Sequence, residues 1–225
     1  MREILGERRK NRRKNGTRAG RLRALREAAL EYARHWRWPV LPGAEASPEG
    51  RCACGRAGCP VPGAHPLDPG LLAATTDERM IRWWWTSRPH APIVLATGGQ
   101  APCALAVPAA AGRAALAELD RRGVRTGPVI AAPGRWLLLV RPYELPQLGD
   151  LLGAMEHVPG SLRFHGPGGY LPLPPSGFAA EDAAGWVRRP RPAPRGGGAE
   201  LPCAADLLAV LVDEALRDPG GLPGR

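Results

Sequence analysis

Residues 63–99 read GAHPLDPGLLAATTDERMIRWWWTSRPHAPIVLATGG, and they hold one helix and one strand in plain view. Thr76 or Asp77 suits an N-cap, because a side-chain oxygen there accepts from the unpaired amides of a first helical turn. Ile81 and Trp84 follow at a helical step, so the helix turns an apolar face inward. Ile93–Thr97 is a short apolar run closed by Gly98-Gly99, the pattern of a buried strand ending in a sharp turn. For Trp83-Trp84-Trp85, packing of the helix onto a sheet is favoured over base stacking, since large aromatic side chains contribute most when buried.

The alternation continues outward. Upstream, Leu22, Leu25, Ala29, Tyr32, Ala33 and Trp36 recur at three- and four-residue steps, giving a helix that Pro39 stops and a short strand at Val40-Leu41. Trp36 and Trp38 then fill the helix-to-strand corner. Residues 42–70 are dense in Pro and Gly and read as an irregular loop. Downstream, strands are expected at Cys103–Val107, Pro128–Ala131, Trp136–Val140, Ser161–Phe164 and Gly169–Leu173. Helices are expected over Ala109–Arg122, around Glu144–Glu156, and over Ala204–Leu216. This irregular mixture predicts an α+β domain over residues 22–188. Residues 189–199 are a linker by their Arg-, Pro- and Gly-rich composition, and 200–225 hold a C-terminal helix and tail.

The chain has 225 residues with 31 Lys+Arg against 21 Asp+Glu, a formal net charge of +10. Residues 1–26 contain eleven of the positive groups and two negative ones, Glu3 and Glu7. That is 11 − 2 = +9, which leaves +10 − 9 = +1 for everything after Arg26. The basic character therefore belongs to an arm, disordered over residues 1–21. Arg8, Arg9, Lys10, Arg12, Arg13 and Lys14 are its candidate nucleic-acid contacts, suited to neutralising phosphates without reading sequence. A 44% hydrophobic content excludes wholesale disorder. No run approaches the ~18 apolar residues of a membrane span, and no apolar segment follows the basic start as a secretory signal would require, so the expected location is cytoplasmic.

Three of the five cysteines are bunched. Cys52-x-Cys54-x4-Cys59-x5-His65 offers three thiolates and one imidazole inside residues 52–65, an accepted donor set for structural zinc. Gly55, Gly58 and Gly63 permit the tight turns that would gather these ligands. The one-residue gap between Cys52 and Cys54 is tighter than the usual two, and His90 and Cys103 stand as fallback ligands.

The quoted stretch, with its Cys-rich loop ending in His65-Pro66, its Ala-Thr-Thr turn, its Trp-rich helix and its strand closing on glycine, resembles the N-terminal bifunctional DNA primase/polymerase (prim-pol) domain. The later segment GSLRFHGPGGYLPLPPS, residues 160–176, matches the family's Gly-Gly-Tyr, strand and Pro-Pro-Ser. Order and spacing agree over about residues 24–178. The resemblance implies an archaeo-eukaryotic primase-like fold with a sheet like that of RNA-recognition modules. With the Arg-, Ala-, Gly- and Pro-rich composition, it also suggests an actinobacterial source.

The family's reaction is nucleotidyl transfer, which needs divalent metal held by carboxylates. Where the resemblance places an acidic pair, this chain reads Ala104-Leu105-Ala106-Val107-Pro108, and no Asp or Glu occurs from Ile93 to Ala117. The strand expected to carry a histidine reads Gly134-Arg135-Trp136-Leu137. The third acidic position falls near Arg163, in a stretch (159–180) without a carboxylate. The expectation is a prim-pol scaffold that binds DNA or nucleotides, uses no catalytic Mg²⁺ or Mn²⁺, and does not polymerise. Arg135, Arg163 and His165 are its candidate phosphate contacts. No Gly-x4-Gly-Lys-Ser/Thr phosphate loop is present, so no helicase motor is expected. No triad partner accompanies Ser176 or Tyr170, which argues against a hydrolase. The rival readings are a non-catalytic zinc-containing adaptor that holds a protein partner, and an active primase with unorthodox ligands.

Overall fold

The computed structural model describes residues 20, 22–47, 49–177, 183–194 and 196–217. Helix α1 covers residues 22–35. It ends where Arg37 adopts a left-handed backbone, φ 56°, which lets the Trp38 N–H donate to the Tyr32 carbonyl at 3.0 Å. Pro39 lies just beyond, and the chain enters strand β1, Val40–Pro42. The Tyr32 and Trp38 rings stack with centroids 5.8 Å apart, so the corner between helix and strand is an aromatic pack.

A long loop and a 3₁₀ turn (Leu71–Ala73) lead to α2, Glu78–Ser87, whose N-cap is Asp77, accepting from the Arg79 amide at 2.8 Å. Trp84 and Trp85 are buried beneath this helix, whereas Trp83 is 60% exposed. Strand β2, Ile93–Ala96, follows. It lies between β1 and a later strand, β7 (Tyr170–Leu173), in a three-stranded antiparallel sheet. Ser176 closes that sheet. Its buried hydroxyl accepts from the Ile93 amide at 2.7 Å, which explains a serine after two prolines without any catalytic role.

The second sheet is built from β3 (Cys103–Pro108), α3 (Ala109–Arg121), β4 (Val129–Ala132), β5 (Arg135–Val140), α4 (Leu145–Gly153) and β6 (Arg163–His165). The strand order β6-β3-β5-β4 with antiparallel neighbours is that of a split β-α-β-β-α-β unit, the arrangement expected of an RNA-recognition-type sheet. A further strand, β8 (Gly185–Arg188), joins outside β4. Residues 191–200 carry hairpin-type bonds, the Glu200 amide donating to Arg191 and the Ala193 amide to Gly198. Helix α5, Ala204–Arg217, then packs on α3 and β3.

Pleating divides this sheet into two faces. Cys103, Leu105, Val107, Val129, Leu138 and Val140 meet α3 and α5. Ala104, Ala106, Ile130, Leu137 and Leu139 meet the core built by α1, α2 and the smaller sheet. Both faces are therefore covered, and the two sheets share one apolar interior. Where they part at one end, a cleft opens. No helix among the described residues is long and apolar enough to cross a membrane.

Candidate functional site

The Cys/His loop is stapled at its stem. Gly43 bridges to Pro66, and the Ala44 amide donates to the His65 carbonyl at 2.8 Å, so residues 45–64 leave and return at one point beside β1. Gly55, Gly58 and Gly63 all have positive φ, 72°, 67° and 80°, the turns expected from the sequence. They bring Cys52, Cys54, Cys59 and His65 together with every ligand atom within 4.8 Å of the others.

His65 is already oriented for ligation. Its Nδ1–H donates to the Pro66 carbonyl at 2.7 Å, which leaves the Nε2 lone pair facing the sulfurs, 3.2 Å from Cys52 Sγ and 3.5 Å from Cys59 Sγ. A tetrahedral zinc with bonds of roughly 2.3 Å to sulfur and 2.0–2.1 Å to nitrogen sets S···N edges of about 3.6 Å, so the donor set fits that ion. The electrostatics point the same way. Burial pushes the Cys52 thiol up, but hydrogen bonding, led by the Cys54 and Gly63 backbone amides, outweighs it and carries the thiol down to about 6. Cys59 is pushed up, first by burial and further by the Cys54 and Cys52 thiols. Three thiols packed this closely ionise together only beside a cation. Neither fallback ligand belongs to the group: Cys103 is buried on the helix-facing side of β3, and His90 sits in the turn before β2.

The cleft lies directly behind this loop. A cavity of about 550 Å³ is bounded by Ala106 of β3, Ala132 of β4, Arg135 and Leu137 of β5, Phe164 and His165 of β6, and Tyr170 and Pro172 of β7. Another wall is Pro60, Val61, Pro62 and Ala64, the segment between two of the ligands. Burial first, and then the Cys59 thiol, push Tyr170 up, so the cluster and the cavity act on the same side chain.

Two glycine turns shape the floor. The Thr97 hydroxyl donates to Gly166 at 2.6 Å, and the Gly98 Cα touches the second turn so closely that a Cβ would lie 2.5 Å from Pro167 Cα. The amides of Gly168 and Gly169 donate to Thr97 and Gly166. They are therefore committed within the turn and unavailable to a phosphate.

Arg135 and His165 are brought together in the cavity. Arg135 donates through Nη2 to the Ala106 carbonyl at 3.0 Å and to Ser161, and its buried Nε has no partner among the described residues. Burial, and then the Arg163 charge, hold its guanidinium below the ordinary arginine value. His165 donates from Nδ1 to the Tyr170 carbonyl at 2.8 Å; burial lowers its basicity, and the charge of Arg135 lowers it further. Arg163 is not among the lining residues: it is exposed, and its guanidinium turns back to the Gly160 and Leu162 carbonyls. Arg8, Arg9, Lys10, Arg12, Arg13 and Lys14 lie outside the described residues.

The cavity lining contains no Asp or Glu. Mg²⁺ and Mn²⁺ are hard cations that need carboxylate or other oxygen ligands, and these residues do not fit them. Among the described residues, the Cys/His group is the one place where three or more potential ligand side chains converge. Of the phosphate contacts expected from the sequence, Arg135 and His165 line this cavity and Arg163 does not; the Pro60–Ala64 wall and Tyr170 were not among the expected site residues. The available signal was the apolar Pro-Val-Pro between the third cysteine and the histidine, a poor match to a solvated loop.

No curated protein and no solved structure matches the chain significantly. A family profile does: that of the bifunctional DNA primase/polymerase, N-terminal, over residues 29–196. The matched span runs from α1 through both sheets to β8, and includes the Cys/His loop and the whole cleft. The protein belongs to the bifunctional DNA primase/polymerase N-terminal family.

Proposed function

We propose that this prim-pol domain binds nucleotides and nucleic-acid strands in the cleft between its sheets without catalysing nucleotidyl transfer. One observation carries the reading. Ala106, Arg135 and His165 line the cavity where metal-binding carboxylates would be needed, and no acid accompanies them. Two basic side chains favour an anionic ligand bound directly, through charge-assisted hydrogen bonds instead of a bridging cation. The apolar remainder of the lining suits a base or sugar. In the Cys52, Cys54, Cys59 and His65 group a zinc ion is architectural, since four protein ligands leave it no open position. The basic arm, with Arg8, Arg9, Lys10, Arg12, Arg13 and Lys14, adds sequence-independent contacts to DNA phosphates in the cytoplasm.

Primer extension with Mg²⁺ or Mn²⁺, run beside ATP and oligonucleotide binding, tests this. Binding without incorporation is the expected result; template-dependent incorporation by the purified chain sinks it. A second reading, a zinc-containing adaptor for a protein partner, is favoured by Trp83 at 60% and Met80 at 43% exposure, three residues apart on α2. The two differ in salt response: nucleic-acid binding weakens steeply as salt rises, whereas an apolar protein contact does not.

A further inference from the structure

A second cavity, of about 690 Å³, shares no lining residue with the cleft. Its walls are the turn after α3, the segment running out of β8, and Glu200. Arg125, Arg188, Arg189 and Arg191 line it, against Asp120 and Glu200, for a local balance of 4 − 2 = +2. Arg188 is fixed in the wall by Asp120 and the Thr126 hydroxyl, and Arg125 reaches Glu200 at 3.5 Å. Both acids are thus already engaged.

Arg189 and Arg191 are different. Both are exposed, and neither forms an ion pair among the described residues. Pro190 and Pro192 restrict the backbone on either side of Arg191, so less freedom is lost when these guanidinium forks engage a ligand. The cavity shares Val124, Arg125, Thr126 and Glu200 with a neighbour of about 460 Å³, which extends the groove to Arg141, whose Nε donates to the Leu201 carbonyl, and to Asp206, which accepts from the Cys203 amide. Its cations are strung along a channel and do not converge on one point. A single phosphate would use few of them, whereas a chain of regularly spaced phosphates would meet several in turn.

We infer that this groove binds the sugar–phosphate backbone of a nucleic-acid strand, at a site separate from the cleft. The inference rests on the nucleic-acid reading above and deepens it by naming a second point of contact. In sequence these arginines pass for part of a spacer; β8 and the 191–200 turn are what bring them against the α3–β4 turn.

The test uses the full chain, an Arg189→Gln/Arg191→Gln variant and an Arg135→Gln variant. The probes are a fluorescein-labelled single-stranded DNA 20-mer and ATP, with salt varied for the DNA. The groove variant should bind DNA several-fold more weakly at low salt. Its slope of log affinity against log salt should be shallower by about 1.4, two lost phosphate contacts at roughly 0.7 each. Its ATP binding and melting temperature should match the parent, because neither side chain supports the core. DNA affinity and salt slope equal to the parent's overturn the groove, as does a parent that binds no DNA. The cleft reading fails separately, if Arg135→Gln leaves ATP binding unchanged.

Discussion

The Cys/His loop and strand β3 face the same cleft and are opposites. The loop is irregular, with donors held by turns and a stem, yet all four of its ligands converge within 4.8 Å. The strand is regular, paired on both sides, and offers Ala104 and Ala106 toward the shared core. Folding accounts for the strand and not for the loop. A pleated strand with both faces covered needs small or apolar side chains, and Ala104 and Ala106, 0% and 1% exposed, satisfy that without any donor chemistry. A Gly/Pro-rich loop with three thiols and an imidazole turned inward buries little, so it needs another source of order, which a bound metal would supply. A fold can therefore do without carboxylates on such a strand more easily than without the ligands of such a loop.

The largest expected effect tests that asymmetry from the loop side. Cys59→Ser, or exhaustive chelation, should take bound zinc from one equivalent to none by elemental analysis. It should lower the melting temperature by about 10 °C, as expected for loss of a few kcal/mol in a domain of this size. Because Pro60, Val61, Pro62 and Ala64 wall the cleft, ATP affinity should fall with it. A metal-free protein with an unchanged melting curve would break the comparison, making the loop ligands as dispensable to the fold as carboxylates on β3.

The strand side gives a smaller effect. An Ala104→Asp/Ala106→Asp variant places two carboxylates in a nearly dry interior, at a cost of roughly 2–4 kcal/mol when no cation neutralises them. The expected readout is a melting temperature several degrees below the parent, partly restored by millimolar Mn²⁺ in the variant alone. Stabilisation of the parent by Mn²⁺ to the same extent would mean that the cleft already grips hard cations, and the contrast between loop and strand would vanish.

Much of this was legible in the sequence wherever one element carries its own signal. Asp77 caps α2 because the cap is local, and Trp84 and Trp85 pack inward as expected, whereas Trp83, expected to pack with them, faces solvent. Elements fixed by distant partners were less legible. The strand expected at Ser161–Phe164 forms at Arg163–His165, since its register comes from Ala106↔Arg163 and Ala104↔His165 pairing across β3. The helix expected to reach Glu156 ends at Gly153, a residue with little helix propensity, and Ala154 caps it. Strand β8 announces itself through no apolar run; it is an edge strand whose residues alternate between exposed and half-buried. In the site, Arg135 and His165 line one cavity, whereas Arg163, expected beside them, turns back to the Gly160 and Leu162 carbonyls, a placement that spacing does not encode.

The smallest effect belongs to His165 and sharpens the comparison within the cleft. Burial, with Arg135 as the charged neighbour, holds its folded pKa below the ordinary value of about 6.5, and the Tyr170 carbonyl opposes this only in part. The folded state therefore keeps the ring neutral while the unfolded chain takes up a proton, so protonation favours unfolding. Above the ordinary value both states are neutral and His165 adds no pH dependence. As pH falls below it, stability should decline by at most about 1.4 kcal/mol per unit, the limit for one proton, and level off once the folded ring titrates. Denaturant melts at pH 8 and pH 5 should thus show a larger loss for the parent than for His165→Gln, and the difference isolates this ring from the other histidines. Equal losses in the two proteins would mean that the ring titrates as if exposed. An anion bound between Arg135 and His165 should shrink the difference by favouring the protonated ring, which makes the same melts, repeated with ATP, a direct probe of what the cleft holds.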